Sequence, residues 1–161
     1  MPDRLTDRPS PNFRTIESFQ LVGVMAIYDS HALAAEKIPH QWRAFLLSHP
    51  ELRSSSNLIG ASPCTPDHKI HYLTGVARES PQSSVAGERL TLEAGEYAVV
   101  QVDNAALLRD TWVWLLTEWL ASSGRREKNA PEFERYTGIS EAGLPIGPVE
   151  IWIPLEPVHA P

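Results

Sequence analysis

Apolar positions along the chain change their period several times, and each change marks an element. Between Ile16 and Tyr28, β-branched and aromatic residues dominate, with Val22, Val24, Ala26 and Tyr28 on one side and Leu21, Gly23, Met25 and Ile27 on the other. Both sets are apolar, so the segment reads as a strand buried on both faces. Asp29 and Ser30 can cap a helix. Ile38, Trp42, Phe45 and Leu46 recur at spacings of 4, 3 and 1, Pro39 suits a first helical turn and Pro50 stops the pattern, which predicts a helix ending near Ser48. Two shorter apolar segments, 57–61 and 69–76, flank Ser62-Pro63-Cys64-Thr65-Pro66-Asp67 and read as a hairpin.

The second half repeats that order. Residues 89–102 predict extended structure with a bulge or tight bend at Gly95. Asp103 or Asn104 caps a helix whose Leu108, Trp112, Leu115, Leu116 and Trp119 form one apolar stripe, and Gly124 stops it. Strands come next at 132–138 and 149–154, joined by 140–148. A β-α-β-β unit thus occurs twice. Trp42 in the first helix answers Trp112 in the second, and Gly60-Ala61-Ser62 answers Gly138-Ile139-Ser140. Tyr72 and Trp152 lie 12 and 14 residues after those glycines. The expectation is an α+β domain, a tandem pseudo-two-fold repeat with antiparallel sheets and two main helices around a central cleft. Repeat one covers about 13–79 and repeat two about 88–157, with 1–12 a disordered polar lead. Each unit alone leaves one sheet face poorly covered, so the seam between them is the expected ligand cleft.

Composition removes several function classes. At 161 residues and 42% hydrophobic the chain is one domain's worth with a full core. A net charge of -6 without a long basic run disfavours direct nucleic-acid binding. No apolar run reaches the roughly 20 residues that span a bilayer, and the polar start lacks a signal-peptide core, which points to a cytoplasmic protein. The lone cysteine, Cys64, reads as an ordinary residue. Six histidines without paired spacing give no metal site, and the chain shows neither a nucleophile elbow nor a phosphate loop, so no cofactor is expected.

One ordered set of segments carries a resemblance. The stretches Leu92-Glu93-Ala94-Gly95-Glu96-Tyr97-Ala98-Val99-Val100, Thr111-Trp112 with Glu118-Trp119-Leu120, Phe133-Glu134-Arg135-Tyr136 and Val149-Glu150-Ile151-Trp152-Ile153-Pro154 succeed one another as in the GyrI-like, or bacterial transcription-activator effector-binding, family. The first half is similar more loosely, through Val22-Gly23-Val24, Ile38-Pro39 to Trp42, and Tyr72-Leu73-Thr74-Gly75-Val76. The resemblance implies an SHS2-like pair of repeats around a small-molecule cleft, as in multidrug-sensing regulators, the DNA gyrase inhibitor protein and single-domain relatives. It also implies that some relatives bind lipophilic cations and that a subset hydrolyses cyclopropane-bearing alkylators. No room for a helix-turn-helix precedes Phe13, so a complete one-component regulator is not expected. Trp152 stands where the family often has Tyr.

Glu134 and Glu150 match the family's acidic positions, each two residues from a ring, Tyr136 and Trp152, and therefore on the same strand face as that ring. By pattern alone these carboxylates read as solvated outward positions; the resemblance turns them toward the cleft. Tyr72 and Trp152, equivalent by the repeat, face each other across the seam in this reading. Trp42 and Trp112 are wall candidates on helix stripes that otherwise serve the core, and Tyr28 sits near the cleft mouth. The expected function is a stand-alone binder of a planar, lipophilic ligand, cationic if the carboxylates point inward. The alternatives are a hydrolase using Glu134 or Glu150 as general acid or base, and a gyrase-inhibitor-type interaction module; a regulator or gyrase partner is not readable from the sequence.

Overall fold

The computed structural model describes residues 9–54, 57–63, 65–77, 85–140 and 144–158. The expectations for residues 1–8 of the polar lead, for Cys64 and for the centre of the 140–148 connection lie outside the described residues. The strands are β1 (Asn12–Ile16), β2 (Phe19–Tyr28), β3 (Leu58–Ser62), β4 (Ile70–Ala77), β5 (Glu88–Leu92), β6 (Gly95–Val102), β7 (Glu132–Ile139) and β8 (Pro145–Pro154). They form one antiparallel sheet in the order β1-β6-β8-β7-β3-β4-β2-β5. Helix α1 (His31–Ser48) joins β2 to β3, and α2 (Leu108–Trp114), a π-helical turn (Leu115–Trp119) and α3 (Leu120–Ser123) join β6 to β7.

The strand order is symmetric about the β7–β3 pair, where the two β-α-β-β units meet. The leading strands are exchanged between the units: β1 precedes β2 in the chain but pairs with β6, and β5 precedes β6 but pairs with β2. This separates what the sequence pattern ran together, since β1 and β2 are distinct strands broken at Glu17-Ser18. Burial of β2 on both faces also holds only for its first half. β5 covers it from Phe19 to Gly23, and beyond that Val24 and Ile27 are 46% and 56% exposed.

Ser30 caps α1, its Oγ accepting from the Leu33 amide at 3.1 Å. Pro39 is not in the first turn but inside the helix, nine residues in, where it removes the backbone bond to the Ala35 carbonyl. Gly124 ends the second helix with φ 74°, a left-handed conformation that favours glycine, and Gly95 opens β6 with φ 137°.

Three packed clusters hold the fold. Trp42, Phe45 and Leu46 of α1 bury against Val22, Leu58, Tyr72, Val76, Tyr136 and Val149. The second helix packs Leu115, with Trp112 and Trp119, on Ala98, Val100, Ile151 and Ile153. On the opposite face the sheet curls on itself, so that Leu21, Leu73, Leu92, Tyr97, Phe133 and Trp152 form a common cluster, with Phe19 edge-on to Phe133 at 6.1 Å. Each large apolar side chain fully buried in this way contributes about 1.5–3 kcal/mol. No helix among the described residues is long and apolar enough to cross a membrane.

Candidate functional site

Between α1 and the second helix, above the central β3–β7 pair, lies a cavity of about 970 Å³. Ile38, Pro39 and Trp42 of α1 form one wall, and Leu108, Trp112, Val113 and Leu116 form the facing wall. Gly60, Tyr72, Glu134 and Tyr136 form its floor. Leu116 belongs to the π-helical turn and is 37% exposed, while its neighbour Leu115 is buried in the core beneath.

Glu134 is the centre of this floor. It is 8% exposed, and its Oε1 accepts from the hydroxyls of Tyr72 at 2.6 Å and Tyr136 at 2.7 Å, while its Oε2 accepts from the Trp112 indole at 3.0 Å. The Trp42 indole in turn donates to the Tyr72 hydroxyl at 3.0 Å. Local sequence explains the convergence. Tyr136 comes one strand period after Glu134, and Gly60 stands opposite Glu134 in the β3–β7 register. A Cβ at Gly60 would overlap the Tyr72 hydroxyl and stand 3.2 Å from Glu134 Oε1, so the missing side chain is what lets the phenol cross β3.

The electrostatics arise from that geometry. Burial raises the Glu134 pKa above the ordinary carboxyl value, opposed by the three donated hydrogen bonds. Burial likewise pushes the Tyr72 and Tyr136 phenols well above their usual value, reinforced by the Glu134 charge, which keeps both as donors. Among the described residues Glu134 forms no ion pair with Lys, Arg or His. Among the described residues its donors are all neutral, so a negative charge on Glu134 is hydrogen-bonded but not offset by a cation.

Five of the sequence-derived residues, Trp42, Tyr72, Trp112, Glu134 and Tyr136, therefore meet in one volume. Glu150 and Trp152 do not join them, although the repeat was expected to bring Trp152 to the cleft and the resemblance to turn Glu150 toward it. Glu134 pairs with Ile151 across β7–β8, whereas Glu150 pairs with Arg135 and Trp152 with Phe133, which puts both on the opposite face of the sheet. The reason is a register shift between Tyr136 and Gly138: β7 advances two residues while β8 advances three, from Ile146 to Val149. Without that extra residue Glu150 would pair with Glu134 and share its face, because a one-residue slip reverses every side chain. Pro148 lies in the bulge, where a residue lacking an amide proton fits, and its carbonyl accepts from Thr137 Oγ1 at 2.9 Å.

On its own face Glu150 is already satisfied. It accepts from Arg135 Nε at 2.7 Å and from Trp152 Nε1 at 3.2 Å, with Arg14 at 3.9 Å. Trp152 stacks on Phe133 with centroids 5.2 Å apart, and the Arg14 guanidinium lies over its ring at 5.7 Å. Tyr28 is also away from the cavity lining. It donates to Gln41 Oε1 at 2.6 Å, and Gln41 Nε2 bonds the Val24 and Tyr72 carbonyls, so Tyr28 braces the strand that carries Tyr72.

Two cavity acids escaped the sequence reading, Glu132 and Glu127. The strand period that linked Glu134 to Tyr136 reaches Glu132 equally well and was the available signal. Among the described residues no group of three or more His, Cys, Asp or Glu is placed to hold a metal ion.

A family model for integron-associated effector binding proteins, Cass2, matches residues 13–155. No match was found among curated protein sequences. Among solved structures, SAV2435 bound to tetraphenylphosphonium is 18% identical, with 91% of this chain and 93% of that one covered and a TM-score of 0.67. A putative bacterial transcription regulation protein from Staphylococcus aureus MU50 is 17% identical over 92% and 99% of the two chains, with a TM-score of 0.68. The integron cassette protein VCH_CASS2 from the mobile metagenome of Vibrio cholerae is 18% identical over 91% and 96%, with a TM-score of 0.65. Identities this low speak for a shared fold, whereas the family match spans most of the chain. The chain belongs to the integron-associated effector binding protein family and is a GyrI-like effector-binding domain.

Proposed function

We propose that residues 13–157 form a single effector-binding unit whose cavity holds a lipophilic organic cation bearing flat aromatic or delocalised groups. One observation carries this reading: among the described residues, a buried carboxylate at the floor of an aromatic cavity is hydrogen-bonded only by neutral donors. Desolvating a carboxylate is costly, and a bound cation offsets that cost more effectively than phenols and an indole do. The rings of Trp42, Tyr72, Trp112 and Tyr136 add apolar surface, and a cation seated against a ring face gains about 0.5–2 kcal/mol. The volume suits a drug-sized ligand. SAV2435 supports the class, since its ligand, tetraphenylphosphonium, is a lipophilic cation.

Titration with tetraphenylphosphonium, monitored by quenching of tryptophan fluorescence, tests the reading against its neutral relative triphenylphosphine oxide. Saturable binding at least roughly tenfold tighter for the cation is expected, a difference of about 1.4 kcal/mol. Equal affinity for the two, or no binding of either, would contradict a charge-selective cavity.

A further inference from the structure

Both helices that wall the cavity interrupt their hydrogen-bond ladders where they face it. In α1 the interruption is Pro39. Proline has no amide proton, so the Ala35 carbonyl lacks the donor four residues on that a regular helix supplies. In the second helix the interruption is the π-helical turn. There the Leu120 amide donates to the Leu115 carbonyl, five residues back, which takes from the Leu116 carbonyl its regular donor. Ala35, Pro39 and Leu116 all line the cavity.

At Ala35 the opening is on the cavity side. A helical carbonyl points along the axis toward the residue four on, so this one opens between Ala35 and Pro39, both exposed and both on the lining. The proline ring crowds that carbonyl and tilts it off the axis. The nearby side-chain donors are committed elsewhere. The Trp42 indole donates to the Tyr72 hydroxyl at 3.0 Å, the Trp112 indole to Glu134 at 3.0 Å, and the Gln41 amide to the Val24 and Tyr72 carbonyls. An exposed carbonyl bonds water, and a ligand that fills the cavity takes that water away. A ligand N–H at this point replaces the lost bond, whereas an alkyl group leaves a desolvated acceptor unsatisfied.

We infer that the cavity selects, among organic cations, those that carry an N–H donor, and that the Ala35 carbonyl freed by Pro39 is the acceptor that reads it. This rests on the cavity being a cation pocket. Ala35 lies two helical turns from Trp42, roughly 10 Å along the axis. A cation of about three fused rings therefore faces Glu134 and presents an amino group at its edge to α1. A fully alkylated cation of the same charge keeps the attraction of Glu134 and forfeits the bond to α1.

Rhodamine 6G, a cation whose two amino groups each bear an N–H, and the ethyl ester of rhodamine B, a cation whose amino groups bear none, separate the cases by fluorescence anisotropy. Wild type is expected to bind rhodamine 6G roughly tenfold more tightly. Pro39→Ala restores an amide proton to α1, closes the helical bond on the Ala35 carbonyl and should raise Tm, since proline inside a helix is destabilising. In that variant the preference is expected to shrink to within about twofold. Pro39→Leu restores the same amide with a side chain nearer proline's size, and should lose the preference too. Equal affinity of wild type for the two dyes overturns the inference and leaves the cation pocket standing. So does a preference retained in either variant, which would put the N–H on another acceptor such as Glu134, and so does binding of tetraphenylphosphonium but of neither dye. Failure of both dyes and of tetraphenylphosphonium to bind wild type overturns the pocket itself.

Discussion

The Tyr72 hydroxyl, carried by β4 in the first β-α-β-β unit, donates at 2.6 Å to Glu134, carried by β7 in the second. A floor built across the seam ties ligand binding to the docking of the two halves. The tie is continued on both sides, by the Trp42 indole at 3.0 Å from the Tyr72 hydroxyl and by the Trp112 indole at 3.0 Å from Glu134. One indole comes from each helix, so both walls are pinned to one carboxylate.

Removing the bridging hydroxyl exposes the strength of that tie. Tyr72→Phe takes one donor from Glu134 and leaves the Trp42 indole without its acceptor, both in buried surroundings. A loss of about 1–3 kcal/mol in unfolding free energy is expected from chemical denaturation. A change within experimental error would mean that the network is not stressed by the loss.

Gly60 is the backbone condition for the same contact. Gly60→Ala places a methyl group where the Tyr72 hydroxyl lies, and the floor must shift. The expected outcome is a destabilisation of about 1–3 kcal/mol together with weaker cation binding. Normal affinity in a correctly folded Gly60→Ala protein would show that the Tyr72–Glu134 bond is dispensable for the ligand.

Glu132 contributes a pH dependence to stability. Its carboxyl is raised from 4.5 to about 9 in the folded protein, so the folded state holds that proton more tightly than the unfolded chain does. The stabilisation is complete below about 4.5 and is lost as the pH rises through about 9. Thermal melts across this window should show wild-type Tm falling relative to Glu132→Gln as pH increases. Parallel curves for the two proteins would remove Glu132 as the titrating group.

Much of this was legible in the sequence for physical reasons. The repeat, both helices and most strands emerge from periodicity, because each element must present an apolar face to a shared core. The meeting of Trp42, Tyr72, Trp112, Glu134 and Tyr136 was expected only with the family resemblance added to the repeat, because pattern alone read Glu134 as a solvated outward position and the two tryptophans as core. What alternation could not reveal is a change of phase. The extra residue near Pro148 turns Glu150 and Trp152 to the opposite face, and the spacings of 12 and 14 residues from Gly60 to Tyr72 and from Gly138 to Trp152 hide it, being both even. The Gly147-Pro148 dipeptide at the end of the expected 140–148 connection was the one local hint. The exchange of β1 and β5 between units was equally hidden, since pairing partners distant in sequence leave no trace in local pattern.

That phase change separates two acids of similar appearance. Glu150 is bound by Arg135 and Trp152 away from the cavity, so Glu150→Gln should cost about 1 kcal/mol of stability through a weakened bond to Arg135. Its effect on cation affinity should stay within about twofold, well under 1.4 kcal/mol.

The most direct test of the central claim is tetraphenylphosphonium affinity measured side by side in wild type, Glu134→Gln and Glu150→Gln, with folding of each checked by circular dichroism. A cavity centred on Glu134 predicts a loss of at least roughly tenfold in Glu134→Gln and near wild-type affinity in Glu150→Gln. Undiminished binding by Glu134→Gln, or a loss confined to Glu150→Gln, would contradict it.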